Sequence, residues 1–185
     1  MRADAELEFP LPTWEETFAT AARADVPSIY ANTNVFRALL VHPRLAQAVY
    51  LLTDTLTFDS DLDDRLRELA VLRIAYVTTS RYELEKHRLM AVESGVLAEE
   101  VEAVANWQEC RSFSPADQAI LAATDDVLST GMVSSTSWKH VREHVSPDPQ
   151  TLLDLVAVIG TWRLLSEILR SIGIPLEEDA TQSDL

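Results

Sequence analysis

The strongest pattern along the chain is a segment that is apolar on nearly all sides. In LDDRLRELAVLRIAYVT, residues 62–78, polar positions thin out after Glu68, and a helix with no wet face belongs in a core. The tripeptide TSR breaks the run. YELEKHRLMAVES follows with helical spacing, and Gly95 stands where a left-handed cap is expected. A second long apolar pattern, TLLDLVAVIGTWRLLSEILRSI at 151–172, is closed by Gly173 and Pro175. These three segments predict two buried helices and a third that pairs with the first as an antiparallel hairpin.

Shorter patterns fill the remainder. Thr13 is placed to cap TWEETFATAARA, whose first turn carries Glu15 and Glu16, where the helix dipole favours acids. Pro27 ends that helix, Asn34 precedes VFRALLVH, and Pro43 opens PRLAQAVYLLTDTL. LAEEVEAVANW predicts a short amphipathic helix. Ser114-Pro115-Ala116-Asp117 starts another that runs to Gly131, and Thr136 or Ser137 is expected to cap WKHVREHV. Strict apolar alternation is missing, and four glycines are too few for the turns of an all-β chain of 185 residues. The expected fold is all-α, a single domain of roughly six to eight helices around a central antiparallel pair. Its expected limits are 13–175, between an N-terminal arm at 1–12 and an acidic tail at 176–185.

Charge narrows the partners. Thirty acidic against fifteen basic side chains give a net charge of -15, which repels nucleic-acid backbones and anionic membranes. A small-molecule substrate or a protein partner is expected instead. The single cysteine, Cys110, excludes a disulfide or dithiol centre within one chain. The start MRADAELEFPLP has no signal-peptide character, and no apolar run reaches the ~20 residues of a membrane span, so a cytoplasmic address is expected.

Candidate chemistry gathers on the second helix of the central pair. Glu83 and His87 are one turn apart on a face shared with Leu84, Met90 and Ala91, while Arg81, Glu85 and Arg88 lie opposite. A polar pair among apolar neighbours fits a cavity wall, and histidine exchanges protons near neutral pH. Ser80 and Glu83 also have the spacing of a capping box, so both accounts of Glu83 stand. Glu68 shares a face with Asp64, Val71, Leu72 and Ala75, with an ion pair to Arg65 or Arg67 as its plain structural role. His140 and His144 of the HVREH segment have zinc-helix spacing. They have no evident third ligand, and Lys139 and Arg142 flank them, so a surface helix without metal is expected. Arg163, Glu167 and Arg170 form an ion-pair ladder by spacing, and Arg163 beside Trp162 is also suited to a substrate carboxylate.

The stretch LDDRLRELAVLRIAYVTTSRYELEKHRLMAVESGVLAEEVEAV, residues 62–104, resembles the core of the carboxymuconolactone decarboxylase and alkylhydroperoxidase D (AhpD) superfamily. It has a buried helix with an early Glu, a short turn, a helix ending in His, then Gly and an acidic helix. NVFRALLVHP and IGTWRLLSEILRSIGIPLEE resemble the flanking segments, with Trp162 where a Tyr is common, so the likeness runs from Tyr30 to Glu178. In the peroxidase branch Glu is followed by eleven residues, Cys, two residues, Cys, three residues and His. That register falls here on Glu68, Ser80, Glu83 and His87. Neither Ser80 nor Glu83 can do thiol chemistry, and Cys110 lies outside the register.

The resemblance is therefore to the decarboxylase-like side. It implies a homo-oligomeric, cofactor-independent lyase acting on a small carboxylate or lactone. In that account His87 supplies a proton, Glu68 tunes it through a water, Glu83 or Tyr82 orients the substrate ring, and Trp162 with Arg163 contacts the substrate. The alternative is a non-catalytic oligomer that has kept the fold and lost peroxidase chemistry. The apolar character of residues 69–77 and 152–172 agrees with an oligomer in either case.

Overall fold

The computed structural model describes residues 9–177. The first eight residues of the expected arm, and the expected tail from 178 onward, lie outside the described residues. The chain is all-α: no strand occurs among the described residues. The helices are α1 Trp14–Arg23, α2 Ser28–Ala31, α3 Asn34–Leu39, α4 Pro43–Phe58, α5 Asp64–Thr78, α6 Arg81–Glu93, α7 Ala98–Ala103, α8 Pro115–Thr130, α9 Ser135–His144 and α10 Pro149–Ile172. A 3-10 helix, Val104–Glu109, follows α7. This exceeds the expected six to eight because short segments such as α2, with four residues, form separate helices without leaving a periodic signal.

Two compact units contain these elements, Met1–Thr53 with Leu169–Leu185, and Asp54–Ile168. In the first, Thr13 and Glu16 form a capping box at α1. The Arg37 guanidinium lies 4.6 Å from the centre of the Trp14 ring and donates to the Pro12 carbonyl. Asn34 joins α3 to the chain end, donating from its amide to Glu177 at 2.6 Å and from Nδ2 to the Pro175 carbonyl at 3.1 Å.

The second unit is built on α5. Leu69, Ala70, Val71, Leu72 and Ile74 are fully buried, as the apolar run requires, and α5 packs on α6 and α8. Two residues join α5 to α6. Thr79 adopts φ +56 and ends α5 in the left-handed region, and the Ser80 amide donates to the Ala75 carbonyl at 2.9 Å. These bonds satisfy the last carbonyls of α5 while the chain reverses, so α5 and α6 form the central antiparallel pair.

Ion pairs fix the neighbours of α5. Arg65 bonds Glu100 on α7 at 2.9 Å and is bidentate to Asp117 on α8 at 3.1 Å. Arg73 is bidentate to Asp125, which also accepts from Trp107 Nε1 at 2.9 Å. The other end of Arg73 takes the carbonyls of Val104 and Ala105, at 3.1 and 2.7 Å. Carbonyls held by a guanidinium are withdrawn from helical bonding. The predicted helix over LAEEVEAVANW accordingly gives way to the 3-10 segment, with Asn106 non-helical. The α9 cap also differs from expectation. Ser134, rather than Thr136 or Ser137, accepts from the Ser137 amide at 3.1 Å. In a run of four short hydroxyl residues the spacing alone cannot choose the cap.

Candidate active site

Asp63 starts α5 by accepting from the Leu66 amide at 3.3 Å, which places Glu68 in the second turn on the face toward α6. The reversal at Thr79 and Ser80 brings His87 alongside it. His87 Nδ1 lies 2.7 Å from Glu68 Oε2. The other ring nitrogen, Nε2, lies 3.3 Å from Glu83 Oε2 and accepts a hydrogen bond from Trp162 Nε1 at 3.0 Å. The indole stands nearly perpendicular to the imidazole, at 83° with ring centres 5.9 Å apart. Behind Glu68, Arg67 Nε is 3.4 Å from Oε1, and Arg67 Nη1 reaches Asp64 at 2.6 Å and the Thr57 carbonyl at 3.2 Å. Glu68 is wholly buried, and Glu83, His87, Arg67 and Trp162 are nearly so. Buried charges persist only when each is paired and hydrogen-bonded, and here Arg67, Glu68, His87 and Glu83 are linked in sequence.

Residues 43–126, which carry Glu68, Glu83 and His87, match the model of the carboxymuconolactone decarboxylase family. Over that stretch the chain is similar to the carboxymuconolactone decarboxylase family, and its fold is that of AhpD-like proteins. A curated Bacillus subtilis relative, the uncharacterized protein YdfG, is 24% identical over 115 residues, covering 60% of this chain and 77% of that protein. Among solved structures, the AhpD-core, peroxidase-related protein from Ralstonia eutropha JMP134 superposes with TM-score 0.75 at 18% identity, covering 93% of each chain. A variant of the debrominase Bmp8 in complex with 2,3,4-tribromopyrrole superposes with TM-score 0.69 at 14% identity, covering 90% of this chain and 86% of that one. At these identities the solved structures establish the fold and not the chemistry.

The structure brings Glu68, Glu83, His87 and Trp162 together. The contact between Glu68 and His87 is direct, where a water-mediated relay was expected. The capping box over Ser80 and Glu83 does not form: Ser80 makes no side-chain cap, and its hydroxyl is buried with no hydrogen-bond partner among the described residues. Glu83 turns instead toward His87, because an imidazole one turn along offers a charge-assisted bond that a neutral amide does not. Of the two arginines expected beside Glu68, Arg67 is there, while Arg65 is taken by Asp117 and Glu100.

The other two expected substrate contacts have further partners of their own. Tyr82 is buried on α6 with the Lys86 ammonium 5.8 Å from its ring centre. Arg163 pairs with Glu167 at 3.0 Å, its side chain 40% exposed, as the ladder spacing predicts. His140 and His144 stand with ring centres 6.2 Å apart on α9. Among the described residues no group of three or more His, Cys, Asp or Glu is arranged to hold a metal.

The bond from Trp162 to His87 was not anticipated. Its signal was the obligate indole donor in a buried helix, which must find an acceptor; sequence does not say which one.

Nε2 is contested. Burial works against an imidazolium at His87, but the charge and hydrogen bond of Glu68, followed by those of Glu83, outweigh it and raise the pKa from 6.5 to about 9. The Trp162 bond belongs to the opposite form, since an indole only donates and needs a bare Nε2. The two carboxylates set the upward direction of the shift. The 3.0 Å contact shows that the neutral ring is also accommodated without rearrangement.

A histidine whose pKa is raised on folding contributes stability that is complete below its unfolded value of 6.5. That contribution is lost as pH rises through about 9. Over this window the wild-type protein should lose on the order of 3 kcal/mol, and the His87→Gln variant much less. Urea denaturation across that range measures both, and parallel curves for the two proteins would contradict the assignment.

Proposed function

We propose that the protein is a cofactor-independent lyase of the carboxymuconolactone decarboxylase type, acting on a small carboxylate or lactone through His87 and its two glutamates. The observation that carries this is the imidazole bound at 2.7 Å through Nδ1 to Glu68, with Nε2 beside Glu83 at 3.3 Å. Such an array stores one proton at Nε2 and holds the ring in a single orientation. Loss of carbon dioxide breaks a carbon–carbon bond and leaves its electron pair in an extended enolate. The imidazolium stabilises that charge as it develops. Nε2–H is then transferred to the carbon, and the ring, still bonded to Glu68, becomes neutral until solvent reloads it. Glu83 orients the donor and faces the incoming ring.

A debrominase of the same fold was captured with 2,3,4-tribromopyrrole, a small cyclic compound comparable in size to the proposed substrates. A non-catalytic role drew its support from Ser80 and Glu83 as a capping pair, and that pair is not formed.

A homo-oligomer is part of the same proposal. Residues 69–72 are covered within the chain, so they supply no association surface. What supports an oligomer is α10, where Leu153, Val156 and Leu164, at 68%, 38% and 47% exposure, follow one another along one face. Sedimentation should give a mass that is a multiple of 20.7 kDa, and a stable monomer would contradict it.

The catalytic proposal is tested with carboxymuconolactone, following release of carbon dioxide. The wild-type protein should turn it over, and His87→Gln, close in volume but unable to transfer the proton, should lose ~10²–10⁴ in rate. Arg81→Ala, on the exposed side of α6, should remain near wild type. Absence of turnover by the wild-type protein, or full turnover by His87→Gln, would overturn the proposal.

A further inference from the structure

The groups around His87 come from three helices. α5 presents Glu68, with Arg67 behind it; α6 presents Glu83; α10 presents Trp162. Nδ1 has one partner, Glu68, and donates to it in either protonation state. Nε2 has two neighbours that make opposite demands. Glu83 Oε2, at 3.3 Å, gains a hydrogen bond only if Nε2 carries a proton. Trp162 Nε1–H, at 3.0 Å, gains one only if Nε2 is bare. When the ring is protonated, two N–H groups confront each other and the buried indole loses its acceptor, which costs free energy. When the proton leaves, the indole N–H occupies the vacated lone pair with no side chain having to move.

We infer that Trp162 is a positioning residue for the His87 proton: its indole N–H replaces that proton at Nε2 as the proton departs, and so favours the departure. This extends the lyase proposal above and rests on it for its catalytic meaning, while the electrostatic effect itself does not depend on any substrate.

The need for such a group follows from the site. An imidazolium clamped between two carboxylates holds its proton too firmly to be a good donor near neutral pH, because transfer is most efficient when donor pKa and working pH are close. The Trp162 bond opposes the two carboxylates through the neutral form, the only form it can stabilise. Its indole is 5% exposed, so water does not compete effectively for the N–H.

The test is a titration of His87 by NMR in the full-length protein, with its resonance among the four histidines assigned by its loss in His87→Gln. Trp162→Phe keeps an aromatic ring in the space and deletes the N–H. Removing that hydrogen bond from the neutral form should raise the His87 midpoint by roughly 0.7 pH unit, the equivalent of ~1 kcal/mol. Glu83→Gln, which removes the group favouring the proton at Nε2, should lower it. In the wild-type protein the Trp162 indole N–H resonance should titrate with the same midpoint as His87. This measurement keeps the inference testable even if Trp162→Phe folds poorly. An unchanged or lowered midpoint in Trp162→Phe, or an indole resonance indifferent to the His87 transition, would overturn the inference.

The lyase proposal fails separately, if His87→Gln retains turnover of carboxymuconolactone. If both hold, the basic limb of the activity profile should shift upward in Trp162→Phe by the same amount as the midpoint.

Discussion

The site depends on one contact, the 2.7 Å bond between Glu68 and His87 Nδ1. A carboxylate with no exposure to water is tolerable only with its charge answered on both sides, and Arg67 and His87 provide the answers. The contact requires α6 to return along α5 at close range, which the left-handed Thr79 and the two-residue connection achieve. It fixes which imidazole nitrogen faces inward. With Nδ1 committed, Nε2 is the only atom of the ring left to exchange a proton, and the roles of Glu83 and Trp162 follow from their distances to it.

Sequence disclosed the frame of this arrangement better than its bonding. The apolar run after Glu68, interrupted only at Arg73, marked a core helix. Gly95, Gly131 and Gly173 marked helix ends that the structure gives positive φ, and the Ser114 start carries a capping box with Asp117. One-turn spacing put Glu83 and His87 on a common face, and the family register added Glu68. The competition for Glu83 could not be resolved that way, because a capping box and a charge-assisted bond to His87 use the same oxygens. Tertiary proximity decided it. The Trp162 bond spans 75 residues of chain and leaves no periodic trace, so the sequence disclosed an indole in need of an acceptor and nothing more.

The site holds no thiol. Positions 80 and 83, cysteines in the peroxidase branch, hold a buried hydroxyl and a carboxylate here. The carboxylate adds a second negative neighbour to an imidazole that already has one. Trp162 then offsets part of that effect from the far side of the same nitrogen.

The central claim is that Nδ1 is the committed nitrogen of His87 and Nε2 the exchangeable one. The nitrogen-15 shifts of the ring, recorded above the titration midpoint, test it most directly. The account predicts a neutral ring with its hydrogen on Nδ1 and a bare, hydrogen-bonded Nε2. A neutral ring carrying its hydrogen on Nε2 would contradict the account, because neither the Glu68 contact nor the Trp162 contact can form to that tautomer.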